Sequence, residues 1–191
     1  MQMIDKFNEK LKQIVDEEQV TWYQLSCAPP DSHENIIALQ AKINLPNELA
    51  DFLSQSGALK SYAFADTWQT VQLFSANQLL EMQTGLVEFI DDYWGGRPEF
   101  AAFFSTEQIK QLNEKYHVFG LTYIDDNGHN YFFFDQQGKF GHLPFDQDDC
   151  EPTMTTLNRL LISSNLELSL EELLQTQLDA MLNAIQAEQS E

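Results

Sequence analysis

The chain has 191 residues, enough for one domain with a sizeable core, and 43% of them are hydrophobic, as in globular proteins. It carries thirty Asp and Glu against ten Lys and Arg, which gives a net charge of −20. A surface of this sign repels nucleic acid and anionic lipid, so we expect neither as a ligand. The charge would accelerate encounter with a basic protein, although it could equally serve solubility alone.

Cysteine content and hydropathy exclude further classes of protein. Cys27 and Cys150 lie far apart and form no CxxC pair, so we expect neither a disulfide framework nor a cysteine-rich zinc site. The first residues lack the uncharged core of about 7–15 residues that a signal peptide needs. No stretch approaches the roughly 20 apolar residues of a membrane span. A cytoplasmic location without membrane association is therefore expected.

The chain begins with a helical pattern. Ile4, Phe7, Leu11 and Ile14 recur at helical spacing and predict an amphipathic helix over residues 3–18. Residues 20–23 are rich in β-forming side chains, so we expect them to end this helix and to place Trp22 in a strand.

Capping signals predict the next two helices. Asp31 or Ser32 is expected to cap the first, with Glu34 closing a capping box. Pro46 suits the first turn of the second helix, and Gly57 falls where its C-terminal cap would lie. The buried face of the first helix is expected to comprise Ile36, Ile37, Leu39 and Ile43.

The middle of the chain alternates between strand and helix signals. Residues 62–74 are typical of a strand, and Ser75 with Gln78 forms a capping box that opens a helix towards Asp91. We expect a loop over residues 91–98 because it contains two consecutive glycines and a proline. Ser105 is expected to cap a short helix that ends near residue 116.

Residues 119–149 hold the most informative pattern. Apolar and aromatic runs are interrupted by polar, glycine-containing turns at 125–128 and 135–138, which predicts a meander of three antiparallel strands. Two helices should follow. One covers residues 154–162, and a longer one begins at a capping box formed by Ser169 and Glu172.

Several of these features together resemble the SUKH superfamily, whose members are bacterial immunity proteins and yeast regulators of cell-wall synthesis. In that family a Leu-Pro pair opens a helix that carries a Phe-Leu pair and ends at a Gly, as do Leu45-Pro46, Phe52-Leu53 and Gly57 here. The later family pattern is a Phe-Gly strand, an acidic turn, an aromatic strand ending in Asp, and a Gly turn. The corresponding residues are Phe119-Gly120, Asp125-Asp126, residues 131–135 and Gly138-Lys139.

The resemblance implies a single α+β domain with a mostly antiparallel sheet flanked by helices. The family-like core would cover about residues 32–162, and residues 1–31 and 163–191 would be helical additions. It also implies a function, since many members neutralise toxin domains, frequently nucleases, by direct binding. A nuclease surface is basic because it grips phosphate, and an acidic chain would complement it.

Acidic and aromatic clusters are the candidate partner-binding residues. The segment after the meander holds four carboxylates in six residues, the first hairpin turn holds an Asp pair, and the 91–98 segment places two aromatic residues beside two more carboxylates. Exposed Tyr and Trp dominate many interfaces, although Trp94 could instead fold into the core and the acidic segments could be solvated loops. The full set is Asp91, Asp92, Tyr93, Trp94, Asp125, Asp126, Asp146, Asp148, Asp149 and Glu151.

Catalysis, metal binding and cofactors are not expected. His129 and His142 fall in neighbouring predicted strands and could approach each other, yet no His-x-x-x-His or Glu-x-x-His spacing accompanies them. Cys150 and His142 could form a nucleophile–base pair, but no glycine pattern for an oxyanion loop or for a phosphate cradle is present. We therefore expect a non-catalytic binding protein. The oligomeric state is left open.

Two functions remain at the level of sequence. The first is an immunity-type protein that blocks a basic toxin domain through its acidic and aromatic surface. The alternative is an intracellular scaffold or regulatory module related to cell-wall synthesis control, in which the terminal helices provide the docking surfaces.

Overall fold

This computed structural model describes residues 2–61, 70–93, 98–123, 128–146, 149–163 and 166–189. Within these ranges six strands form one sheet: β1 (Leu25–Cys27), β2 (Leu59–Ser61), β3 (Thr70–Leu73), β4 (Tyr116–Tyr123), β5 (Gly128–Asp135) and β6 (Phe140–Asp146). The helices are α1 (Gln2–Ile14), α2 (Glu17–Tyr23), α3 (His33–Ile43), α4 (Asn47–Ser56), α5 (Ala76–Glu81), α6 (Leu86–Tyr93), α7 (Pro98–Phe103), α8 (Thr106–Lys115), α9 (Glu151–Ile162) and α10 (Leu170–Glu188).

The sheet follows the order of the chain. Each strand from β1 to β6 pairs antiparallel with the next, so the predicted α+β fold with an antiparallel sheet and flanking helices is confirmed. Four consecutive aromatic residues of β5, at positions 131–134, are almost fully buried. Since successive side chains of a strand point to opposite faces, helices or loops must cover both faces of the sheet there.

Several local predictions are confirmed by hydrogen bonds. Ser75, Ser105 and Ser169 each form a complete capping box with the residue three positions later. Gly57 ends α4 as predicted, with a φ of +55°, whereas Pro46 is the N-cap residue and lies one position before the first turn in which it was expected. A Cβ at Gly57 would lie 2.1 Å from the carbonyl oxygen of Pro29, so this position requires glycine for both conformation and space.

The predicted helix over residues 3–18 is wrong in its extent. The helix α1 ends at Ile14, and Asp16 caps the separate helix α2 by accepting a hydrogen bond from the N–H of Gln19. Residues 20–23 belong to α2, so Trp22 is helical and half-buried against the core. The cap and the packing of α2 outweigh the β preference of these four side chains. The short strand β1 that follows was not predicted.

The helix predicted from Ser75 to Asp91 is interrupted. The helix α5 ends at Glu81, and Gly85 forms a β-bridge with His117 before α6 begins. The ammonium group of Lys42 donates hydrogen bonds to the carbonyls of residues 79, 80 and 82, which would otherwise lack partners at the end of α5. Residues 91–93 and 98 of the predicted loop are helical.

The beginning of α3 also differs from the prediction. Ser32 caps the helix by accepting from the N–H of Asn35. Asp31 instead accepts from the N–H of Ala76 through Oδ2, which ties the start of α3 to the start of α5. Ile37, expected on the buried face, is 51% exposed.

The terminal helices belong to the main hydrophobic core. Ile4, Phe7 and Leu11 of α1 and Leu178 and Met181 of α10 lie in the same cluster of buried side chains as the sheet. The helices α1 and α10 also pack against each other. Residues 1–31 and 163–191 therefore contribute to the core of the α+β fold, and the first segment adds β1 to the edge of the sheet.

Candidate partner-binding surface

The predicted site residues fall into two groups. Trp94, Asp125, Asp126 and Asp148 lie outside the described residues. The others occupy three places, namely the end of α6, the end of β6 and the start of α9; they are Asp91, Asp92, Tyr93, Asp146, Asp149 and Glu151.

The end of β6 and the start of α9 lie at one end of the sheet, as the strand pairing shows. Asp146, the last residue of β6, pairs with Gly128, the first residue of β5. Tyr123, the last residue of β4, pairs with His129. The segment that contains Asp125 and Asp126 connects these ends of β4 and β5, and α9 starts a few residues after β6.

The helix α6 ends towards the same end of the sheet. Gly85, just before α6, bridges to His117 near the beginning of β4. Four residues later Phe89 contacts Tyr131, which pairs with Leu121 further along β4. Because α6 advances in the direction of β4, Asp91 and Asp92 lie towards the end of the sheet that carries Asp146. We call the five described carboxylates Asp91, Asp92, Asp146, Asp149 and Glu151 the acidic end.

Among the described residues, no Lys or Arg lies within ion-pair distance of the exposed carboxylates of the acidic end. Asp92, Asp149 and Glu151 are exposed. The ion pairs among the described residues, Lys10–Asp179 and Lys110–Glu114, include none of these three. Like charges held at one end of a sheet create a negative potential that attracts a cationic surface at long range.

Hydrogen bonds join the end of β6 to the start of α9. Asp146 accepts from the N–H of Asp149 through Oδ1 at 3.3 Å, and Asp149 accepts from the N–H of Glu151 through Oδ1 at 3.0 Å. Cys150 is the N-cap residue of α9, but its side chain makes no capping bond. Asp149, one residue before the N-cap, therefore accepts from the first N–H of the helix, and its negative charge suits the positive end of the helix dipole.

A buried aromatic cluster supports the acidic end from within. His129 is buried, and its ring lies 4.0 Å from that of Tyr123 and 6.2 Å from that of Phe145, centroid to centroid. Tyr131 contacts Phe145 and Phe89. The sequence analysis did not identify this cluster as support for the site, although the aromatic run of the second predicted strand of the meander was the signal for it. Its packing makes the base of the acidic end rigid.

His129 and His142, which the sequence allowed to approach each other, do not meet. His129 pairs with Phe145 and His142 pairs with Phe132, so the two histidines lie three positions apart along the strands and face opposite sides of the sheet. Among the described residues, no group of three His, Cys, Asp or Glu could hold a metal ion. Cys150 is half-buried and packs against the core at the start of α9.

Comparison of the chain with protein-family models, with curated proteins and with solved structures gave no match. No helix in the described part of the chain is both long enough and apolar enough to cross a membrane.

Proposed function

We propose that this protein is a non-catalytic binding module of the SUKH type, an immunity protein that neutralises a basic bacterial toxin domain by direct contact. The acidic end of the sheet is the contact surface in this proposal. A domain that grips phosphate, such as a nuclease, presents the clustered Lys and Arg that such a surface would attract.

One observation carries the proposal. The carboxylates of Asp92, Asp149 and Glu151 are exposed at one end of a sheet whose interior is packed with aromatic side chains. Strand pairing fixes the end of β6, and the bonds from the N–H groups of Asp149 and Glu151 fix the carboxylates of Asp146 and Asp149 there. A rigid charged surface loses little conformational entropy on binding, so it is suited to recognition.

The alternative is a scaffold or regulatory module that docks its partner through the terminal helices. The packing of α1 against α10 favours a surface built by both ends of the chain. A partner bound there would not depend on the acidic end, and the two proposals therefore predict different responses to charge removal.

The test compares two variants that each lose three negative charges. The site variant replaces exposed carboxylates of the acidic end: Asp92→Asn, Asp149→Asn and Glu151→Gln. The matched control replaces exposed carboxylates on helices that pack against other helices and the β1 edge: Glu9→Gln, Glu17→Gln and Glu34→Gln. Each tagged protein is used to capture partners from its own cells, and the partners are identified by mass spectrometry and released with increasing salt.

We expect the wild-type protein and the control to capture the same basic domain and to release it at moderate salt. The site variant should retain it poorly and release it at lower salt, because steering by clustered charge contributes roughly 10- to 1000-fold to association rates. Equal retention by the site variant and the wild type would exclude the acidic end as the contact. Capture of cell-envelope or signalling proteins would favour the scaffold alternative.

A further inference from the structure

A groove of about 320 Å³ lies between the first turn of α1, the outer face of α4 and the first turns of α10. Its apolar lining consists of Met3, Phe52, Leu170 and Leu174. Met3 and Phe52 are half-buried, whereas the two leucines are buried beneath them. Apolar surface therefore remains open to solvent at a junction of three helices.

The remaining lining of the groove is acidic or neutral. Glu48, Asp51 and Glu171 are exposed, and no Lys or Arg is among the described residues that line the groove. Glu48 accepts a hydrogen bond from the N–H of Leu170 at 2.8 Å, which joins α4 to α10 across one side. The groove thus combines an apolar floor with a negative rim on a framework that is fixed by hydrogen bonding and core packing.

The groove is separate from the acidic end. Leu168, two residues before α10, forms a β-bridge with Phe140 at the beginning of β6. Asp146 of the acidic end lies at the opposite end of that strand. A partner seated in the groove would therefore leave the surface of the proposed function uncovered, and this inference goes beyond that function.

We propose that the groove docks a short amphipathic helix of a basic protein partner, with one or two apolar side chains inserted between Met3 and Phe52 and with Lys or Arg on the flanks. The volume is near the lower limit of ligand pockets, which suits a few side-chain anchors. The groove is built from three helices, whose backbone N–H and C=O groups are bonded within each helix. It therefore offers no strand edge to which an extended peptide could add, and a helix is the better fit. The acidic rim selects basic flanks and disfavours acidic ones.

The test uses a fluorescent peptide of about 18 residues, or five helical turns, with Leu at helical spacing and Lys elsewhere. A second peptide has the same composition in an order that breaks the apolar stripe. Binding is measured by fluorescence anisotropy with the full-length protein and with variants whose folding is checked by circular dichroism. The groove variants are Phe52→Gln and Met3→Gln, the rim variant combines Asp51→Lys with Glu171→Lys, and the control combines Glu17→Lys with Glu34→Lys.

We expect the striped peptide to bind and each groove or rim variant to weaken it by about tenfold or more, as loss of an interface anchor does. The control should change the dissociation constant by less than about twofold, because exposed charges away from a contact contribute little. Equal binding of the two peptides would overturn the inference, since the attraction would then be charge alone. Equal weakening by the control would overturn it too, as would self-association of the protein through Phe52, which would identify a second copy as the occupant.

Discussion

The carboxylate of Asp149 is predicted both to stabilise the start of α9 through a hydrogen bond and to act as a binding charge, and the two roles can be separated by substitution. Its Oδ1 accepts from the N–H of Glu151 at 3.0 Å, at the start of α9. Asn preserves a capping oxygen and removes the charge, whereas Ala removes both. Asp149→Asn should therefore affect partner binding alone, and Asp149→Ala should affect binding and folding stability.

The magnitude follows from the value of a cap. Loss of a side-chain bond to the first turn of a helix costs about 1 kcal/mol, with a range of roughly 0.5–2 at an N-cap position, and Asn accepts such a bond nearly as well as Asp. Buried Leu157 and Leu160 keep α9 packed against the core, so Asp149→Ala should lower the free energy of unfolding without detaching the helix. With a urea m-value of about 2 kcal/mol/M, the unfolding midpoint of Asp149→Ala should fall by about 0.5 M. Asp149→Asn loses the favourable charge at the start of α9 but also removes one like charge from a chain of net charge −20, and these opposing effects should leave its stability close to that of the wild type.

The unfolding midpoints of both variants are measured in urea, with circular dichroism as the signal. A suitable control is Asp92→Ala, which removes an exposed carboxylate from the C-terminal turn of α6, where negative charge is unfavourable to the helix dipole. We expect this control to retain or slightly raise the midpoint. Equal destabilisation by Asp149→Asn and Asp149→Ala would refute the capping role, and so would an Asp149→Ala variant as stable as the wild type.

Three further predictions concern the fold. Gly120→Ala should destabilise the protein by about 2 kcal/mol or more in urea, because its Cβ would lie 2.5 Å from a backbone oxygen of β3; a wild-type midpoint would contradict this contact. Leu11→Ala should cost about 2–5 kcal/mol because the side chain is fully buried, whereas Ile37→Ala should cost far less; equal effects would contradict the packing of α1 into the core. Burial, followed by the charge of Lys42, lowers the pKa of His117 below the ordinary 6.5. Because the unfolded chain then binds a proton on His117 more readily than the folded protein does, the free energy of unfolding should fall as the pH drops below about 6.5 and should be unaffected by this residue above it. In His117→Gln the urea midpoint should fall less steeply over the same pH range.

Local signals in the sequence were sufficient for the elements whose geometry depends on nearby residues. The turn between β5 and β6 is an example, since Asp135 accepts hydrogen bonds from the N–H groups of Gln137 and Lys139, and Gly138 has a φ of +74°. The three capping boxes are similar cases, because each is closed by residues three positions apart. Such features need no tertiary contact to form.

Elements that depend on distant contacts could not be predicted in this way. The end of α5 is stabilised by Lys42, which lies 37 or more residues earlier, and Gly85 pairs with His117. Both contacts arise only after the sheet and α3 are in place. The β-forming residues of α2 likewise adopt the conformation that the cap at Asp16 and the core impose.

The acidic segments are visible in the sequence, but their arrangement in the fold is not. The direction of α6 along the sheet depends on the packing of Phe89 on Tyr131. The apolar groove was not predicted, because Met3, Phe52 and Leu174 belong to three helices that are distant in the sequence. Only their packing in the fold brings them together.

The most direct test of the proposed function is the association rate of the captured basic partner, measured by stopped flow at low and moderate salt. We expect the wild type to associate fast and to slow steeply as the salt concentration rises. The variant with Asp92→Asn, Asp149→Asn and Glu151→Gln should associate more slowly, and its rate should depend less on salt. The control with Glu9→Gln, Glu17→Gln and Glu34→Gln should behave almost as the wild type does. Identical rates and salt dependences for the site variant and the wild type would contradict the claim that the acidic end of the sheet binds the partner.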